Sequence, residues 1–359
     1  MEYISYEPGK TIIMKKYIIN GKFLTQRQTG AQRYAREIVE KLDSLSKEGE
    51  FTIVIPKGDW TIPTYQKIKV QKVGSLQGIA WEQITLPIYA LVKGYTLLNL
   101  CNVAPLLKPD YSTIFDMKIK SHPHFYGWKF KWWYEILFAN QTKRCKLIFT
   151  DSEDAKSELL KYYPKAKPDK IVVAHASWEH FNKVDFDNKT LEKYNLKSKD
   201  YFFSMGSLEP NKNFRWVSEV AKKNTHATFV VAGSLNAKVF ANGMGFECPQ
   251  NMKLLGYVTD EEAKTLMRDA KAFLFPSFCE GFGMPPLEAM SAGVYRVIVS
   301  DIPVMHEIFK ENAIYINPQK YDYQLDELLK VSRSDSDSVL ERFSWADSAK
   351  IVYNRLINI

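Results

Sequence analysis

Long apolar segments, clustered cysteines and metal-binding motifs are scarce in this sequence, and each absence excludes a class of protein. The longest apolar stretch, residues 84–92, is much shorter than the ~20 residues that cross a bilayer, so no membrane-spanning helix is expected. The 4 cysteines lie far apart without a Cys-x-x-Cys spacing, which argues against a disulfide framework and a zinc site. Two Asp-x-Asp triplets, at residues 185–187 and 335–337, do not follow apolar strands, so no bound metal is expected.

The N-terminus also lacks the pattern of a secretory signal. Residues 1–13 carry Glu2, Glu7 and Pro8 and contain no apolar core of the ~7–15 residues that such signals need. Met14 stands just before the first apolar strand and could serve as the start, which makes residues 1–13 a candidate extension. With the cysteine pattern, these features favour a cytoplasmic protein.

Composition and charge set the size class and the kind of partner. The chain has 359 residues, of which 45% are hydrophobic and 25% charged, and this is the balance of a globular protein of about two domains. Lys and Arg number 49 against 41 Asp and Glu, so the net charge is 49 − 41 = +8. This excess favours anionic partners, whether nucleotide phosphates, nucleic acid or an anionic lipid surface.

Short apolar strands alternate with amphipathic helices in two successive runs. The first run contains strands at residues 16–24, 51–55, 96–100, 112–116, 146–150 and 171–174. The second contains strands at residues 201–206, 227–233, 251–256, 272–276 and 297–300. Such alternation predicts an α/β protein with two Rossmann-like domains that carry parallel sheets. The cleft between two such domains is the expected ligand site.

These runs suggest domain boundaries. We expect an N-terminal domain over residues 1–177 and a C-terminal domain over residues 200–340. Residues 178–199 are polar and without periodicity, so they are interpreted as the linker. Residues 341–359 are expected to form a C-terminal helix that packs back toward the N-terminal domain.

The densest motif, residues 276–293, joins the end of a strand to a helix. Pro285 or Pro286 suits the first helical position, where a missing N–H costs nothing, and Gly293 suits the residue after the helix. The backbone N–H groups of the loop and of the helix N-terminus favour an anion such as a diphosphate. Glu280 in the loop and Glu288, expected in the first helical turn, suit the hydroxyls of a sugar and a ribose. The alternative is a glycine-containing loop with two solvated glutamates.

With these residues in register, the sequence resembles the retaining, nucleotide-sugar-dependent glycosyltransferases of family four, which have the GT-B fold of two Rossmann-like domains facing a central cleft. Their E-x7-E signature matches Glu280 to Glu288. Further similar blocks lie at residues 20–24, 29–37, 206–213 and 299–303. The resemblance runs from about Lys15 to the C-terminus, and it is closest in kind to bacterial capsule, exopolysaccharide and O-antigen glycosyltransferases.

The resemblance implies roles for individual residues. Glu288 would hold the ribose hydroxyls, Glu280 the donor sugar, and Lys212 the departing diphosphate. Lys212, Glu280 and Asp116 are the candidate catalytic residues. The other candidate donor-binding residues are Gly30 in the first strand-to-helix loop, Ser207, Leu255, Tyr257, Gly281, Phe282 and Gly283. The residues expected near the acceptor or the sugar are Phe115, Asp116, His122, His124 and His175.

The sequence departs from the family pattern at positions that bear on the donor. Ser207 and Asn211 stand where relatives often have arginine, which leaves Lys212 as the main cation of its loop unless Arg33 or Arg36 contributes. Phe115 stands where many relatives have a histidine near the 6-hydroxyl of the donor sugar. An apolar ring there favours a 6-deoxyhexose, with dTDP-rhamnose as the leading candidate. If Phe115 is instead a buried strand residue, GDP-mannose or a UDP-hexose is equally suitable.

A basic, aromatic segment spans residues 117–146, with seven cations, one acid and eight aromatic residues. This composition is typical of a segment that binds an anionic membrane surface from one side. The alternative is an amphipathic helix that packs its aromatic residues into the N-terminal domain. Nucleic acid is not expected, because no DNA- or RNA-binding motif accompanies the segment.

Taken together, the sequence predicts a retaining, metal-independent transferase without a cofactor, whose donor substrate is a nucleotide-sugar. Its acceptor is expected to be a glycan, in particular a lipid-linked one, in bacterial surface polysaccharide synthesis, and the protein could associate peripherally with the inner face of the plasma membrane. Two other functions remain open, a nucleotide-sugar epimerase and a non-catalytic protein that binds glycans or membranes. The E-x7-E block with its Gly-Phe-Gly sequence argues against the epimerase, and intact Glu280, Glu288 and Lys212 argue against the non-catalytic protein.

Overall fold

The computed structural model describes residues 15–207, 209–233, 247–330 and 335–358. The chain forms two compact units. The first runs to His175 and resumes at Trp345, and the second spans Ala176–Ser344. The candidate extension, residues 1–13, lies outside the described residues.

The first unit is built on a seven-stranded parallel sheet with the order β3-β2-β1-β4-β5-β6-β7. Its strands are β1 Tyr17–Asn20, β2 Phe51–Ile55, β3 Lys69–Lys72, β4 Thr96–Asn99, β5 Tyr111–Thr113, β6 Leu147–Thr150 and β7 Ile171–Val173. The first strand is shorter than expected, because Asn20 ends it and caps a 3₁₀ helix, Gly21–Thr25, by accepting a hydrogen bond from Lys22 N.

The second unit is built on a six-stranded parallel sheet with the order β10-β9-β8-β11-β12-β13. Its strands are β8 Tyr201–Met205, β9 Thr228–Ala232, β10 Met252–Gly256, β11 Ala272–Phe275, β12 Val297–Ser300 and β13 Ile314–Ile316. The edge strands β3 and β13 were not expected from the sequence.

Helices connect the strands of both sheets. The helices of the described residues are α1 Gly30–Leu45, α2 Gly78–Ala80, α3 Leu86–Lys93, α4 Lys118–Ser121, α5 Trp128–Arg144, α6 Glu153–Tyr162, α7 Thr190–Lys193, α8 Phe214–Lys223, α9 Asp260–Asp269, α10 Met284–Ala292, α11 Pro303–Phe309, α12 Leu325–Leu328, α13 Ser336–Leu340 and α14 Trp345–Ile357. A π-helical turn, Trp81–Thr85, joins α2 to α3, and short 3₁₀ helices lie at Gly21–Thr25, Pro123–Phe125, Pro168–Lys170, Glu179–Lys183 and Pro210–Lys212. No helix in these ranges combines the length and the apolar character needed to cross a membrane.

The direction of each crossover decides which face of the first sheet a helix covers. Crossovers between parallel strands are right-handed, so the helix between β1 and β2 lies on one face, while the helices that lead to β4, β6 and β7 lie on the other. Tyr34, Ile38, Val39 and Leu42 of α1 are buried, which confirms the helical face expected from their spacing.

The C-terminal helix α14 belongs to the first unit. The hydroxyl of Tyr17 donates to the carbonyl of Leu356 at 2.7 Å, and the ring of Tyr34 packs edge-on against Trp345. The residues expected to form a linker instead pack on the second unit. Lys264 Nζ donates to the carbonyls of Phe181 and Val184 at 2.9 and 2.7 Å, which holds this segment in place.

Candidate functional site

The carboxyl ends of β8 and β11 mark the point where the strand order of the second sheet reverses. From β8 the chain moves outward to β9 and β10, and from β11 it moves the other way to β12 and β13. The loops after β8 and β11 therefore leave the sheet on either side of a crevice, which is where open parallel sheets bind ligands. The two loops that the sequence selected, at residues 206–213 and 276–283, are these loops.

Glycines with positive φ lie at both ends of α10, the helix that follows the loop after β11. Gly293 lies at φ 92° as the C-cap of α10, as its position in the motif predicted. Gly283 lies at φ 99° as the N-cap, a role that was not expected from the sequence. A Cβ on Gly283 would also lie 2.6 Å from Cε of Met305. Two details differ from expectation: Met284 precedes the prolines as the first helical residue, and Glu288 therefore lies in the second turn of the helix.

Lys212 and Glu280 are brought together across the crevice. Lys212 ends the 3₁₀ turn after β8, and its Nζ lies 2.7 Å from Oε1 of Glu280. The same ammonium lies 5.2 Å from the centroid of the Phe275 ring at the end of β11. An ammonium carries three N–H donors, so Lys212 can keep Glu280 and still donate to a phosphate oxygen. The ion pair holds the cation in position at the edge of the sheet.

Two residues that the sequence did not select fix the Lys212 loop. Asn213 adopts a left-handed conformation at φ 55°, and its Nδ2 donates to the carbonyls of Pro276 and Pro318 at 3.0 and 2.9 Å. The backbone N–H of Phe278 donates to the carbonyl of Asn211 at 2.8 Å. These bonds tie the loops after β8 and β11 to each other, so the positions of Lys212 and Glu280 are set together.

Glu288 is buried and hydrogen-bonded to a histidine that sequence reasoning missed. Nε2 of His180 lies 2.9 Å from Oε1 of Glu288, and both side chains are almost fully buried. His180 belongs to the 3₁₀ helix Glu179–Lys183, in the segment expected to be a linker. A carboxylate can accept about four hydrogen bonds, so Glu288 can hold His180 and two ribose hydroxyls together.

Several buried polar atoms at the same edge have no hydrogen-bond partner within the described ranges. They are Nδ2 of Asn211 and the hydroxyls of Ser277 and Ser300. These residues follow β8 and β11 or end β12. Because buried polar groups are nearly always paired in folded proteins, such atoms at one sheet edge indicate a place where a polar ligand or water completes the hydrogen bonding.

The remaining donor-site candidates of the second unit line the same edge. Ser207 follows β8, Leu255 lies in β10, and Tyr257 just after β10 is exposed. The ring of Phe282 is buried edge-on against Phe343 at 5.2 Å, so the backbone of Phe282 and of its neighbour Gly281 is the part suited to contact a ligand.

In the first unit, the structure places Gly30 at the start of a helix and Phe115 in the core. Gly30 is the first residue of α1 rather than a loop residue, since Thr29 caps the helix in a capping box. The ring of Phe115 is buried and packs edge-on against Tyr34 at a centroid distance of 4.9 Å. This environment is that of a core residue, which supports the alternative interpretation of Phe115 and removes support from the 6-deoxyhexose argument.

Among the polar candidates of the first unit, His122 and His124 lie close together, with ring centroids 6.0 Å apart. Asp116 pairs with Lys118, whose Nζ lies 3.1 Å from Oδ2. The ring of His122 stacks on Phe125, and burial, with His124 and Lys118 nearby, lowers its pKa below the usual value. His124 is exposed, while the carbonyl of His175 accepts a hydrogen bond from Ser348. Catalytic or acceptor-binding roles for Asp116 and these three histidines stay predictions.

A buried polar network, which sequence reasoning missed, lies where the first sheet reverses its strand order. Nδ2 of Asn20 at the end of β1 donates to Glu82 at 2.9 Å and to Asn99, which ends β4, at 3.1 Å. Nζ of Lys22 lies 2.6 Å from the other oxygen of Glu82. The network fixes the carboxyl ends of β1 and β4. In the second sheet the corresponding position is the crevice at the carboxyl ends of β8 and β11.

Comparison with known protein sequences shows similarity to glycosyltransferases. Residues 187–342 match the family model for glycosyl transferases group 1. The chain is similar to the O-antigen chain mannosyltransferase RfbU of Salmonella typhimurium, with 29% identity over 321 residues, or 84% of this chain and 86% of that protein. It is also similar to the O-antigen chain mannosyltransferase B of Escherichia coli, with 26% identity over 244 residues, or 64% of this chain and 63% of that protein.

Solved structures share the fold at low sequence identity. Anabaena Alr3699/HepE, solved in complex with UDP and glucose, matches with a TM-score of 0.71 and 12% identity over 97% of this chain and 100% of that one. The sucrose-phosphate synthase of Thermosynechococcus elongatus matches with a TM-score of 0.69 and 14% identity over 96% and 100%. The fold class expected from the sequence, GT-B with two Rossmann-like units, is thereby confirmed.

Proposed function

We propose that this chain, a glycosyltransferase with a group 1 domain, transfers a mannosyl residue from GDP-mannose to the glycan acceptor of a bacterial surface polysaccharide such as O-antigen. The observation that carries the proposal is the Lys212–Glu280 ion pair beside the N-terminus of α10, at the strand-order reversal of the second sheet. A cation, the backbone N–H groups of the glycine-containing loop and two carboxylates at one edge suit a nucleoside diphosphate sugar.

The chemistry follows from the charges of the site. The bond between the anomeric carbon and the diphosphate oxygen breaks, the acceptor hydroxyl attacks that carbon from the same face, and its proton passes to the leaving phosphate oxygen. Lys212 and the backbone N–H groups of the loop before α10 stabilise the negative charge that develops on the diphosphate. Glu288 accepts hydrogen bonds from the ribose, and Glu280 orients the sugar while it holds Lys212. Retention follows from the resemblance and is checked by the anomeric configuration of the product.

The choice of mannose rests on two observations. The sequence relatives described above are named as mannosyltransferases. In addition, Phe115 is buried against Tyr34, so the argument for an apolar contact with a 6-deoxy sugar has lost its basis. The expectation of dTDP-rhamnose is therefore replaced by the GDP-mannose alternative.

A lipid-linked acceptor would bring the enzyme to the inner face of the plasma membrane. Both curated relatives described above act, by their names, on the O-antigen chain. The exposed aromatic and basic residues of α5 suit such a location, because tryptophan and lysine side chains both bind the interfacial region of a bilayer.

GDP-mannose is expected to be used about tenfold or more efficiently, in kcat/KM, than dTDP-rhamnose or UDP-glucose. The measurement is the release of nucleoside diphosphate from each donor with a polysaccharide acceptor, together with the thermal shift that each nucleotide produces. Mannosylated product distinguishes the transferase from an epimerase and from a non-catalytic binding protein. A clear preference for dTDP-rhamnose would restore the 6-deoxyhexose hypothesis and overturn this one.

Replacement of His180 by alanine is expected to weaken GDP-mannose binding about ten- to hundredfold, because a hydrogen bond to a buried charged group contributes about 1.5–3 kcal/mol. His180→Gln keeps a side-chain donor and should retain much of the affinity. His226→Ala, at an exposed histidine paired with Asp326, is the matched control and should bind normally. The donor Kd and KM are measured beside kcat. An equal loss in both His180 variants, or an unchanged Kd in both, would contradict a positioning role.

A further inference from the structure

An unusually apolar surface lies on the outer side of two neighbouring helices of the first unit. The helices α3 and α5 lead to β4 and β6, so right-handed crossovers place both on the same face of the sheet. We define the α3–α5 surface as a set of exposed apolar residues from these two helices, from the π-helical turn before α3 and from the segment between β4 and β5. They are Ile84, Ile88, Leu91, Val92, Leu107, Trp128, Trp132 and Ala139.

The outer face of α5 carries the aromatic part of this surface. Trp128 and Trp132 are 71% and 63% exposed, and with Ala139 they lie within one side of the helix at 100° per residue. Leu137 and Gln141 on the opposite side are buried. The helix therefore satisfies both sequence-based alternatives at once, since one side packs into the first unit and the other presents tryptophan to solvent.

The outer face of α3 carries the aliphatic part. Ile84, Ile88, Leu91 and Val92 follow the spacing of one helical face, and Val92 is 79% exposed. The inner face buries Leu86, Pro87 and Ala90. A contiguous group of exposed aliphatic residues on the side opposite the buried face is typical of a surface that binds a partner or a membrane.

The segment between β4 and β5 joins the two outer faces. The backbone N–H of Leu106 donates to Gln83 at 3.0 Å, and its carbonyl accepts from Asn140 of α5 at 3.2 Å. Arg144, near the end of α5, donates to the carbonyl of Leu107 at 3.0 Å. The segment that carries exposed Leu107 is therefore bonded both to α5 and to the π-helical turn that leads into α3, which brings the two outer faces near each other.

The charges around the surface are mainly positive. Exposed cations within or next to the two helices are Lys93, Lys129, Lys143, Arg144 and Lys146. The acids of these elements are neutralised, since Glu82 is buried against Lys22 and Glu135 pairs with Lys120. Tryptophan, aliphatic residues and cations together match the boundary between the anionic headgroups and the acyl chains of a bilayer. A second copy of the chain fits less well, because a two-fold contact would bring the same cations together.

We infer that the α3–α5 surface binds an anionic lipid bilayer reversibly, with Trp128, Trp132 and the α3 aliphatic residues in the interface. The helix α5 begins on the side of the sheet where β5 ends, so its exposed tryptophans lie toward the carboxyl edge of the first sheet. Binding there would hold that edge near the membrane, where a lipid-linked glycan is found. The inference rests on the proposed function only in this last respect.

Sedimentation with phosphatidylcholine vesicles, with and without phosphatidylglycerol, tests the inference. The bound fraction should rise with anionic lipid and fall as NaCl screens the charges. Lys129→Gln with Lys143→Gln should lower the partition coefficient about thirtyfold, since each cation near such a surface contributes about 1 kcal/mol. Trp128→Ala with Trp132→Ala should also lower it, and Tyr295→Ala, an exposed aromatic residue of the second unit, should not.

The opposite outcomes are equally specific. Equal binding to neutral and anionic vesicles, or no binding at all, would overturn the inference, and so would a concentration-dependent dimer that the tryptophan variant abolishes. Turnover of GDP-mannose with a water-soluble acceptor and the thermal shift by the donor should be unchanged in all these variants. If the protein does not use GDP-mannose but binds vesicles as expected, the proposed function is wrong and the inference of membrane binding stands. If donor use succeeds without vesicle binding, the inference alone is wrong.

Discussion

Replacement of Lys212 by methionine lowers kcat about 10²–10³-fold, if the ammonium stabilises the charge of the departing diphosphate as its position at the reversal of the second sheet indicates. Methionine keeps most of the apolar stem of lysine and removes only the charge, so the loss should appear in kcat more than in the KM for the donor. The measurement is steady-state kinetics with GDP-mannose, beside thermal unfolding to show that the variant is folded.

A second lysine of the same unit supplies the control for this variant. Lys222 pairs with Glu219 and Glu247, as Lys212 pairs with Glu280. It lies in the last turn of α8 and not in the loops after β8 and β11. Lys222→Met should keep normal turnover. If Lys212→Met is as active as the control, the diphosphate lies elsewhere and the site assignment is wrong.

Glu288→Ala is expected to lower kcat/KM about 10²–10³-fold through the loss of donor binding. The carboxylate is buried beside His180 and is expected to accept hydrogen bonds both from that histidine and from the ribose hydroxyls. Its removal deprives both groups of this acceptor. Glu288→Gln keeps one acceptor oxygen and should lose less. The measurement is the Kd for GDP-mannose by calorimetry, beside kcat/KM.

The effect of Glu288 on stability is separated from its effect on binding by comparison with an exposed glutamate. Glu327 pairs with Lys330 on the surface of the second unit, and Glu327→Ala should leave both properties unchanged. A Glu288→Ala variant that unfolds at the normal temperature and binds GDP-mannose with normal affinity would falsify the ribose assignment.

The sequence was sufficient for the parts of the fold that depend on local patterns. Apolar runs located the central strands of both sheets, because strands buried on both faces consist of consecutive apolar residues. Gly293 located the end of α10, since a residue with positive φ at a helix C-cap is favoured to be glycine, which has no Cβ. The two prolines located its start to within two residues.

The missed elements lack such local patterns. The strand β3, with the sequence Lys69-Val70-Gln71-Lys72, lies at the edge of the first sheet, where polar residues face solvent and no apolar run exists. The strand β13 has only three residues. In both cases pairing with a neighbouring strand, which is a property of the folded unit, creates the element.

The site residues divide in the same way. Lys212, Glu280 and Glu288 lie in dense motifs and could be selected from the sequence, whereas His180 is separated from Glu288 by 108 residues. The network of Asn20, Glu82 and Asn99 likewise joins residues more than 60 positions apart. Such contacts depend on how distant segments pack, and no composition or spacing reports them.

The position of α14 makes the first unit discontinuous in the sequence. Domains of a nascent chain generally fold from the N-terminus onward. Here the first unit includes Trp345–Ile357, which follows the whole of the second unit, Ala176–Ser344. Before this helix packs, Tyr17 lacks its partner at Leu356, and Tyr34 lacks the ring of Trp345. During synthesis the second unit therefore has all of its residues before the first unit does.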